Sequence, residues 1–394
     1  MGCYQDPELV NELVSIKRII EKRDSRQIIE YIQAGLMKKF NKMIEKPIYY
    51  EDGEDLLEII SVVLKQHLLT NIDICHCLLY NTDFFDQLIN LFNTLKFNKA
   101  NNEILSTLHF LTGTTRPINH KLKLFEKGIV HTLVKFLGSQ NMIVQMKVAD
   151  ILCNVITAGQ YGLSERQQHP FCKTLKNNGS IQQLMQLFSD ANINRKIHQK
   201  IAQLIAILYK AEPLPIYIAK DVIDNLKDNN DFEELCRLAE CAENHTLILA
   251  QKYQKLLFTQ NSLSKMVDYF NFVNLIFKYG SIINQMKIIV YKRKKIQEFT
   301  NEQFLNYYEY HFSWTKVGRE YIKELAQNTL DAMKKIIEKK SFWSERDSAT
   351  IRQMQKEMYS EQDDDLDDEE EQEEDYDFIN DFGKEDQSEQ MNIQ

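Results

Sequence analysis

The sequence Gly128-Ile-Val-His-Thr-Leu133 returns 51 residues later as Gly179-Ser-Ile-Gln-Gln-Leu184. Each copy has a turn-tolerant first residue (the head), two mostly apolar residues, two others and a large apolar residue. Four further copies keep the heads 40 to 51 residues apart and begin at Gly35, Asp83, Asp221 and Asn261. Only Gly, Asn and Asp occupy the six heads, and these residue types tolerate positive φ best. The pattern therefore predicts a left-handed or tight turn before the main helix of each repeated unit.

A second helix is predicted after each of the first four heads. After Gly128, apolar residues follow at i, i+4, i+7, i+8 and i+11, namely at Val144, Val148, Ile151, Leu152 and Val155. After Gly179 the same spacing holds at Ile197, Ile201, Leu204, Ile205 and Leu208. This is the stripe of an amphipathic helix with one buried face. Helical units of this period, each with one face to bury, predict a solenoid in which every unit packs on its neighbours.

The repeated pattern resembles the armadillo-repeat family, most clearly over residues 121–208 and more broadly over residues 28–289. HEAT repeats have an overlapping period, but the glycine heads and the segment Val148-Ala-Asp-Ile-Leu-Cys-Asn-Val155 favour armadillo. The resemblance implies an all-α, right-handed superhelical α-solenoid of about five or six armadillo-like repeats. It also implies a non-catalytic adaptor or scaffold, which binds an extended or helical segment of a partner protein in its concave groove.

Pattern and charge divide the chain into four parts. We expect an N-terminal helical cap over residues 1–33, armadillo-like repeats over 34–291, a C-terminal helical cap over 292–358 and an acidic disordered tail over 359–394. Residues 361–394 contain 17 acidic residues and one lysine, and repulsion between like charges opposes their packing. Because the whole chain carries −9, residues 1–360 carry +7. One hypothesis is that the tail folds back on this basic body and competes with the partner.

Composition favours an intracellular helical protein. The chain has only 12 glycines and 6 prolines, and its 7 cysteines are irregularly spaced, which indicates reduced thiols. We find no run of 18 apolar residues and no secretory signal. We therefore expect a cytoplasmic protein, with the nucleus as an alternative. Membrane attachment is expected only if Gly2 and Cys3 are acylated, and Asp6 departs from the Ser or Thr of the usual signal.

The groove is the first candidate site. In armadillo proteins the third helix of each repeat lines the groove, and readers of basic peptides carry a Trp and an Asn four residues apart there. By this resemblance Asn154 takes the Asn position, whereas the Trp positions hold Val62, Ser106, Asp150 and Gln203. The mixed charges of the predicted groove suit a mixed or acidic-hydrophobic ligand. Its residues are Glu103, Ser106, Phe110, Lys147, Asp150, Asn154, Lys200 and Gln203.

Two further functions stay open at this stage, a nuclear-transport (importin-alpha-like) cargo adaptor and an assembly chaperone that shields a basic client. The densest basic cluster, Lys292-Arg293-Lys294-Lys295, predicts a basic patch. It is either an import signal, a site for phosphate or an acidic surface, or a solvated helix end. Nucleic acid is not an expected partner, because no recognition motif surrounds the cluster and the tail would repel phosphates.

Catalytic and metal-binding patterns are missing from the sequence. There is no phosphate-binding loop and no nucleophile motif. The segment Cys75-His-Cys77 has the wrong spacing for a chelating cysteine pair on a helix. We therefore expect no enzymatic activity, no cofactor, no metal and no small-molecule substrate.

Overall fold

The computed structural model describes residues 72–94, 102–250, 263–301, 305, 315–338 and 347–354. Every regular element in these ranges is a helix. The chain falls into two compact units, Met1–Phe342 and Trp343–Gln394. In the second unit the described residues, 347–354, are helical. Several predictions made from the sequence lie outside the described residues, namely those for residues 1–33, the heads Gly35 and Asn261, and the tail 359–394.

Fifteen α-helices are numbered here in chain order over the described part of the first unit. They are α1 (Ile72–Tyr80), α2 (Phe84–Thr94), α3 (Asn102–Thr112), α4 (Ile118–Glu126), α5 (Ile129–Val134), α6 (Met142–Ala158), α7 (Pro170–Asn177), α8 (Ser180–Phe188), α9 (Arg195–Leu208), α10 (Ile216–Asp228), α11 (Phe232–Ala239), α12 (His245–Ile248), α13 (Leu263–Tyr279), α14 (Ile282–Glu298) and α15 (Lys316–Glu338). Two short 3-10 helices cover Lys135–Gly138 and Ala242–Asn244.

Two series of helix contacts order the first unit. In the first series α3, α6, α9, α11, α13 and α15 each pack on the next. In the second series α2 packs on α5, and α5 packs on α8. The two series meet where α5 packs on α6 and α8 packs on α9. Each inner helix of the first series therefore has neighbours on two sides and must bury most of its apolar surface.

The predicted apolar stripes of α6 and α9 form this core. The five stripe residues of α6, from Val144 to Val155, are at most 1% exposed, and so are the five of α9, from Ile197 to Leu208. Burying one such side chain contributes about 1.5–3 kcal/mol. Both helices also begin at a capping asparagine: Asn141 accepts from the backbone N–H of Ile143 at 2.9 Å. Asn194 caps α9 in the same way, and such caps stabilise a helix by about 1 kcal/mol.

The two glycine heads in the described residues adopt the predicted left-handed turn. Gly128 has a φ of 87° directly before α5, and Gly179 has a φ of 80° directly before α8. Asp83 precedes α2 without a positive φ. The head predicted at Asp221 is wrong, because this residue lies inside α10. Pro215 fixes its own φ at −58° and starts α10 at Ile216, ahead of the position that the repeat pattern predicts.

Of two boundaries predicted from the sequence, one coincides with the ends of helices and the other falls within a helix. The loop predicted over residues 159–170 is confirmed, since α6 ends at Ala158 and α7 begins at Pro170. The boundary predicted between residues 291 and 292, by contrast, falls inside α14. The reason is that the buried side of α14 continues past it, from Ile289 through Lys292 to Ile296.

His169 ends the loop and caps α7 with a ring nitrogen. Its Nδ1 accepts from the backbone N–H of Phe171 at 3.1 Å, and its Nε2 donates to the carbonyl of Ile156 at 3.0 Å. Burial lowers the pKa of His169 to about 4, because the apolar surroundings disfavour the imidazolium ion. The folded chain therefore holds the neutral ring with one defined tautomer.

Alanine substitutions of the glycine heads test the left-handed turns. A Cβ at Gly128 or Gly179 would meet no atom within 4 Å, so the cost comes from the positive φ alone. We expect Gly128→Ala and Gly179→Ala each to lower the free energy of unfolding by about 1 kcal/mol, measured by chemical denaturation. Gly113→Ala is the matched control, because Gly113 has no positive φ and its nearest atom would lie at 3.4 Å. Equal losses in all three variants would contradict the assignment.

The His169 cap predicts a stability that depends on pH. An unfolded histidine binds a proton near pH 6.5, whereas folded His169 does so only near pH 4, so the unfolded chain binds more protons between these values. The stabilisation is complete above pH 6.5 and is lost as pH falls towards 4. We expect the stability difference between wild type and His169→Gln to shrink by ~2 kcal/mol from pH 7.5 to pH 5. A difference that does not change with pH would show that the ring is not held neutral.

Candidate functional site

A row of polar side chains crosses the first-series helices α3, α6, α9 and α11. We call it the polar strip and define it by Ser106, His109, Lys147, Asp150, Lys200, Gln203, Asp231, Glu234 and Arg237. On α6 and α9 the strip follows the polar positions that lie away from the apolar stripes. Its two ends are more buried, since Ser106 is 6% exposed and the side chains of Arg237 and Glu234 are 12% and 13% exposed.

The first part of the strip joins α3, α6 and α9 through two sets of contacts. Lys147 donates from its Nζ to the Oγ of Ser106. One helical turn further on, the carboxylate of Asp150 lies between His109 and Lys200, with His109 Nε2 at 4.0 Å and Lys200 Nζ at 3.5 Å. The side chain of His109 is 42% exposed, that of Asp150 is 37% exposed and that of Lys200 is 34% exposed. These contacts are long and partly solvated, so they contribute little to folding.

The second part of the strip joins α9 to α11. Asp231, directly before α11, accepts from Gln199 Nε2 at 3.1 Å and also from Gln203. Burial raises the pKa of Asp231, and the two amide hydrogen bonds act against this by stabilising the carboxylate. The carboxylate is thus held by neutral donors, and its negative charge is not cancelled by them.

Arg237 carries the third part of the strip on α11. Its Nη1 donates to Glu234 at 2.9 Å and its Nη2 donates to Glu233 at 2.5 Å. Its third nitrogen, Nε, donates outside the helix to Gln160 Oε1 at 3.0 Å. Burial raises the pKa of Glu234, while the charge of Arg237 lowers it. The guanidinium therefore holds the neighbouring carboxylate in position and partly offsets the effect of burial on its pKa.

Cys153 lies among the charges at the centre of the strip. The charged neighbours that act on its thiol are Asp150, Lys200, Glu234 and Arg237, which links the α6, α9 and α11 parts of the strip. Burial nevertheless dominates and raises the pKa of Cys153 to about 12. The thiol therefore stays protonated near neutral pH and is a poor nucleophile.

The structure brings together most of the groove residues predicted from the sequence. Ser106, Lys147, Asp150 and Lys200 are linked by direct contacts, and Gln203 continues the strip to α11. Three other predicted residues have a looser relation to it. Asn154 and Phe110 are half-buried on the same helices, and Glu103 lies in α3 with its side chain outside the described residues.

The α11 part of the strip and His109 are missing from the prediction. The sequence pattern predicts a second helix only after the first four heads, so the prediction does not reach the residues of α11. A local signal for the α11 residues exists, since Glu233 and Glu234 precede Arg237 by four and three residues, the spacings of ion pairs on a helix.

The predicted basic patch is divided by burial. Lys292 is 3% exposed, and burial lowers its pKa to about 8. Lys295 pairs with Glu298, Arg293 is half-buried, and the side chain of Lys294 is outside the described residues. The α14 cluster therefore does not present Lys292 to a ligand, because this lysine lies on the buried side of the helix.

Other surface features of the described residues are weaker candidates for a binding site than the polar strip. A surface depression of about 490 Å³ includes Phe188, Arg195, His198 and Asp221. Both ring nitrogens of His198 are already bound, to the carbonyl of Phe188 and to the amide of Asn225, each at 2.9 Å. Over the described ranges, no three His, Cys, Asp or Glu side chains are grouped so that they could hold a metal ion. None of the described helices has the length and apolar character needed to cross a membrane.

Comparison with known proteins identifies no family. No protein-family model matches the sequence, and no curated protein matches it significantly. The crystal structure of an engineered protein is similar over 77% of this chain and 69% of its own, with 15% identity and a TM-score of 0.45. A second engineered protein is similar over 75% of this chain and 96% of its own, with 14% identity and a TM-score of 0.36. At these values neither similarity carries an argument about fold or function.

Proposed function

We propose that this chain is a non-catalytic adaptor or scaffold that binds a segment of a partner protein along the polar strip. The observation that carries the proposal is that side chains from four successive first-series helices meet in one row, from Ser106 on α3 to Arg237 on α11. A row of this kind offers hydrogen-bonding groups at the spacing of the helices, which fits an extended or helical ligand better than a compact one.

The fold that we propose for this surface is a right-handed, armadillo-like α-solenoid, in which the strip lies in the groove. Three observations support it. The first-series helices pack in sequence order, α5 and α8 do the same in the second series, and Gly128 and Gly179 make equivalent left-handed turns. Repeated units of this type give extended binding surfaces, because each unit adds one more helix to the same face.

The energetics of the strip favour a role in binding over a role in folding. The contacts of Asp150 to His109 and Lys200 are long and partly exposed, so partner groups can replace them at low cost. The strip also carries both signs of charge. Complementary charges select the partner and its register, whereas a mismatched segment would bring like charges together.

Charge reversal on the strip tests the proposal. The partner is first identified by affinity purification with the full-length chain, and its affinity is then measured for Lys147→Glu/Lys200→Glu. We expect this double variant to bind at least about tenfold more weakly, because Lys200 becomes an anion beside Asp150 and Lys147 becomes an anion that cannot donate to Ser106. The matched control, Lys173→Glu/Lys220→Glu, makes the same charge change at exposed positions of α7 and α10.

The control should bind like wild type, and circular dichroism should show that both variants are folded. Unchanged affinity of a folded Lys147→Glu/Lys200→Glu variant would place the partner site elsewhere on the chain.

We also propose that the acidic tail, residues 359–394, modulates partner affinity. Its charge opposes that of residues 1–360, and a tethered segment can reach an effective concentration of ~mM. Deleting residues 359–394 should therefore change the dissociation constant at low salt, and raising the salt concentration should reduce the difference. Equal affinities of the full and shortened chains at low salt would remove the tail from the proposal.

A further inference from the structure

A hydrogen bond closes the loop between α6 and α7, residues 159–169, at its base. His169 Nε2 donates to the carbonyl of Ile156 in the last turn of α6 at 3.0 Å. Gly159 lies against the same residues, since a Cβ there would be 2.7 Å from the ring of Phe171 and 2.8 Å from that of His169. Loops with closed ends are compact structures in their own right. We call this one the wall loop.

Lys210 fixes the outer part of the wall loop. Its Nζ donates to the carbonyls of Ser164 and Gln167, each at 3.2 Å, and to the carboxylate of Glu240. The side chains of Lys210 and Glu240 are only 10% and 11% exposed. The ammonium group has three hydrogens and finds three acceptors here, so the loop is held by a fully satisfied buried cation.

The tip of the wall loop reaches α13, which is far away in the sequence. Glu165 pairs with Lys278 at 2.5 Å, and the guanidinium of Arg166 lies 4.9 Å from the ring centre of Tyr279. The backbone N–H of Arg166 also donates to Glu240 at 2.6 Å. Arg166 has a φ of 62°. A non-glycine residue keeps such a φ only where several contacts impose it.

Gln160 connects the wall loop to the polar strip. Its Nε2 donates to the carbonyl of Ile207 in α9 at 3.3 Å, and its Oε1 accepts from Arg237 Nε at 3.0 Å. Ile207 and Lys210 follow Gln203 at the helical spacing of the strip, so the loop contacts α9 at the edge of the strip. Arg237 in turn holds Glu233 and Glu234. A side chain of the loop thus contacts Arg237, the guanidinium that pairs with both Glu233 and Glu234.

We propose that the wall loop is a preformed edge of the binding surface and that Gln160 is a positioning residue, which orients Glu233 and Glu234 through Arg237. Lys210 keeps the loop in the position that this requires. The ordering of the loop is then complete before a partner arrives, and less entropy is lost on binding. The inference rests on the proposed function only in treating the strip as a binding surface.

The test is the titration of Glu234 in the full-length chain without any partner, followed by carboxyl-carbon NMR. In Gln160→Leu the guanidinium loses one of its anchors, so Arg237 stabilises the carboxylate less well. We expect the titration midpoint of Glu234 to rise by ~0.5 pH unit. Gln168→Leu is the matched control, because it makes the same change at an exposed position of the same loop and should leave the midpoint unchanged.

A second variant, Lys210→Met/Glu240→Gln, releases the loop without leaving one buried charge alone. Amide hydrogen exchange within residues 159–169 should become about tenfold faster, and the Glu234 midpoint should rise as in Gln160→Leu. An unchanged midpoint in Gln160→Leu, or an equal rise in Gln168→Leu, would overturn the inference. Because the titration needs no partner, such a failure is distinct from a failure of the proposed function, which rests on partner affinity.

Discussion

The packing of α6 between α3 and α9 is the interaction on which the other features depend. The stripe of α6 from Val144 to Val155 is almost completely buried, and burial of each such side chain contributes about 1.5–3 kcal/mol. This apolar face fixes the rotation of α6 about its axis, and the same holds for α9. Once both rotations are fixed, Lys147, Asp150 and Lys200 must lie on the outer side, where their contacts connect neighbouring helices.

The position of the polar strip, and of the wall loop at its edge, depends on this helix packing. Apolar burial aligns the helices, and the alignment places their polar positions in one row. Partly exposed ion pairs in that row are weak and replaceable, whereas the contacts of Lys210 at its edge are buried and geometrically specific. The chain therefore combines a rigid frame with an exchangeable polar surface. This is the combination that a binding protein needs, because a rigid surface loses little entropy when it meets a ligand.

Sequence reasoning predicted the features that depend on short-range periodicity. It identified the helical class, the stripes of α6 and α9, and the turns at Gly128 and Gly179, whereas partner binding by the predicted groove residues stays a prediction. It failed where one local residue changed the register, as Pro215 does at α10. It also read the α14 lysines as one patch, although the buried residues Ile289, Lys292 and Ile296 share one side of that helix. The contacts of the wall loop could not be predicted, because Glu165 and Lys278 are brought together only by the tertiary fold.

Site-specific photo-crosslinking of the partner complex tests the central claim most directly. A photoreactive residue is placed at Asp150 or Gln203, the strip positions of α6 and α9, and for comparison at the exposed residues Lys173 and Lys220. The account predicts that one continuous partner segment crosslinks to both strip positions and to neither comparison position. Crosslinks that form at Lys173 or Lys220 but not at the strip positions would contradict it.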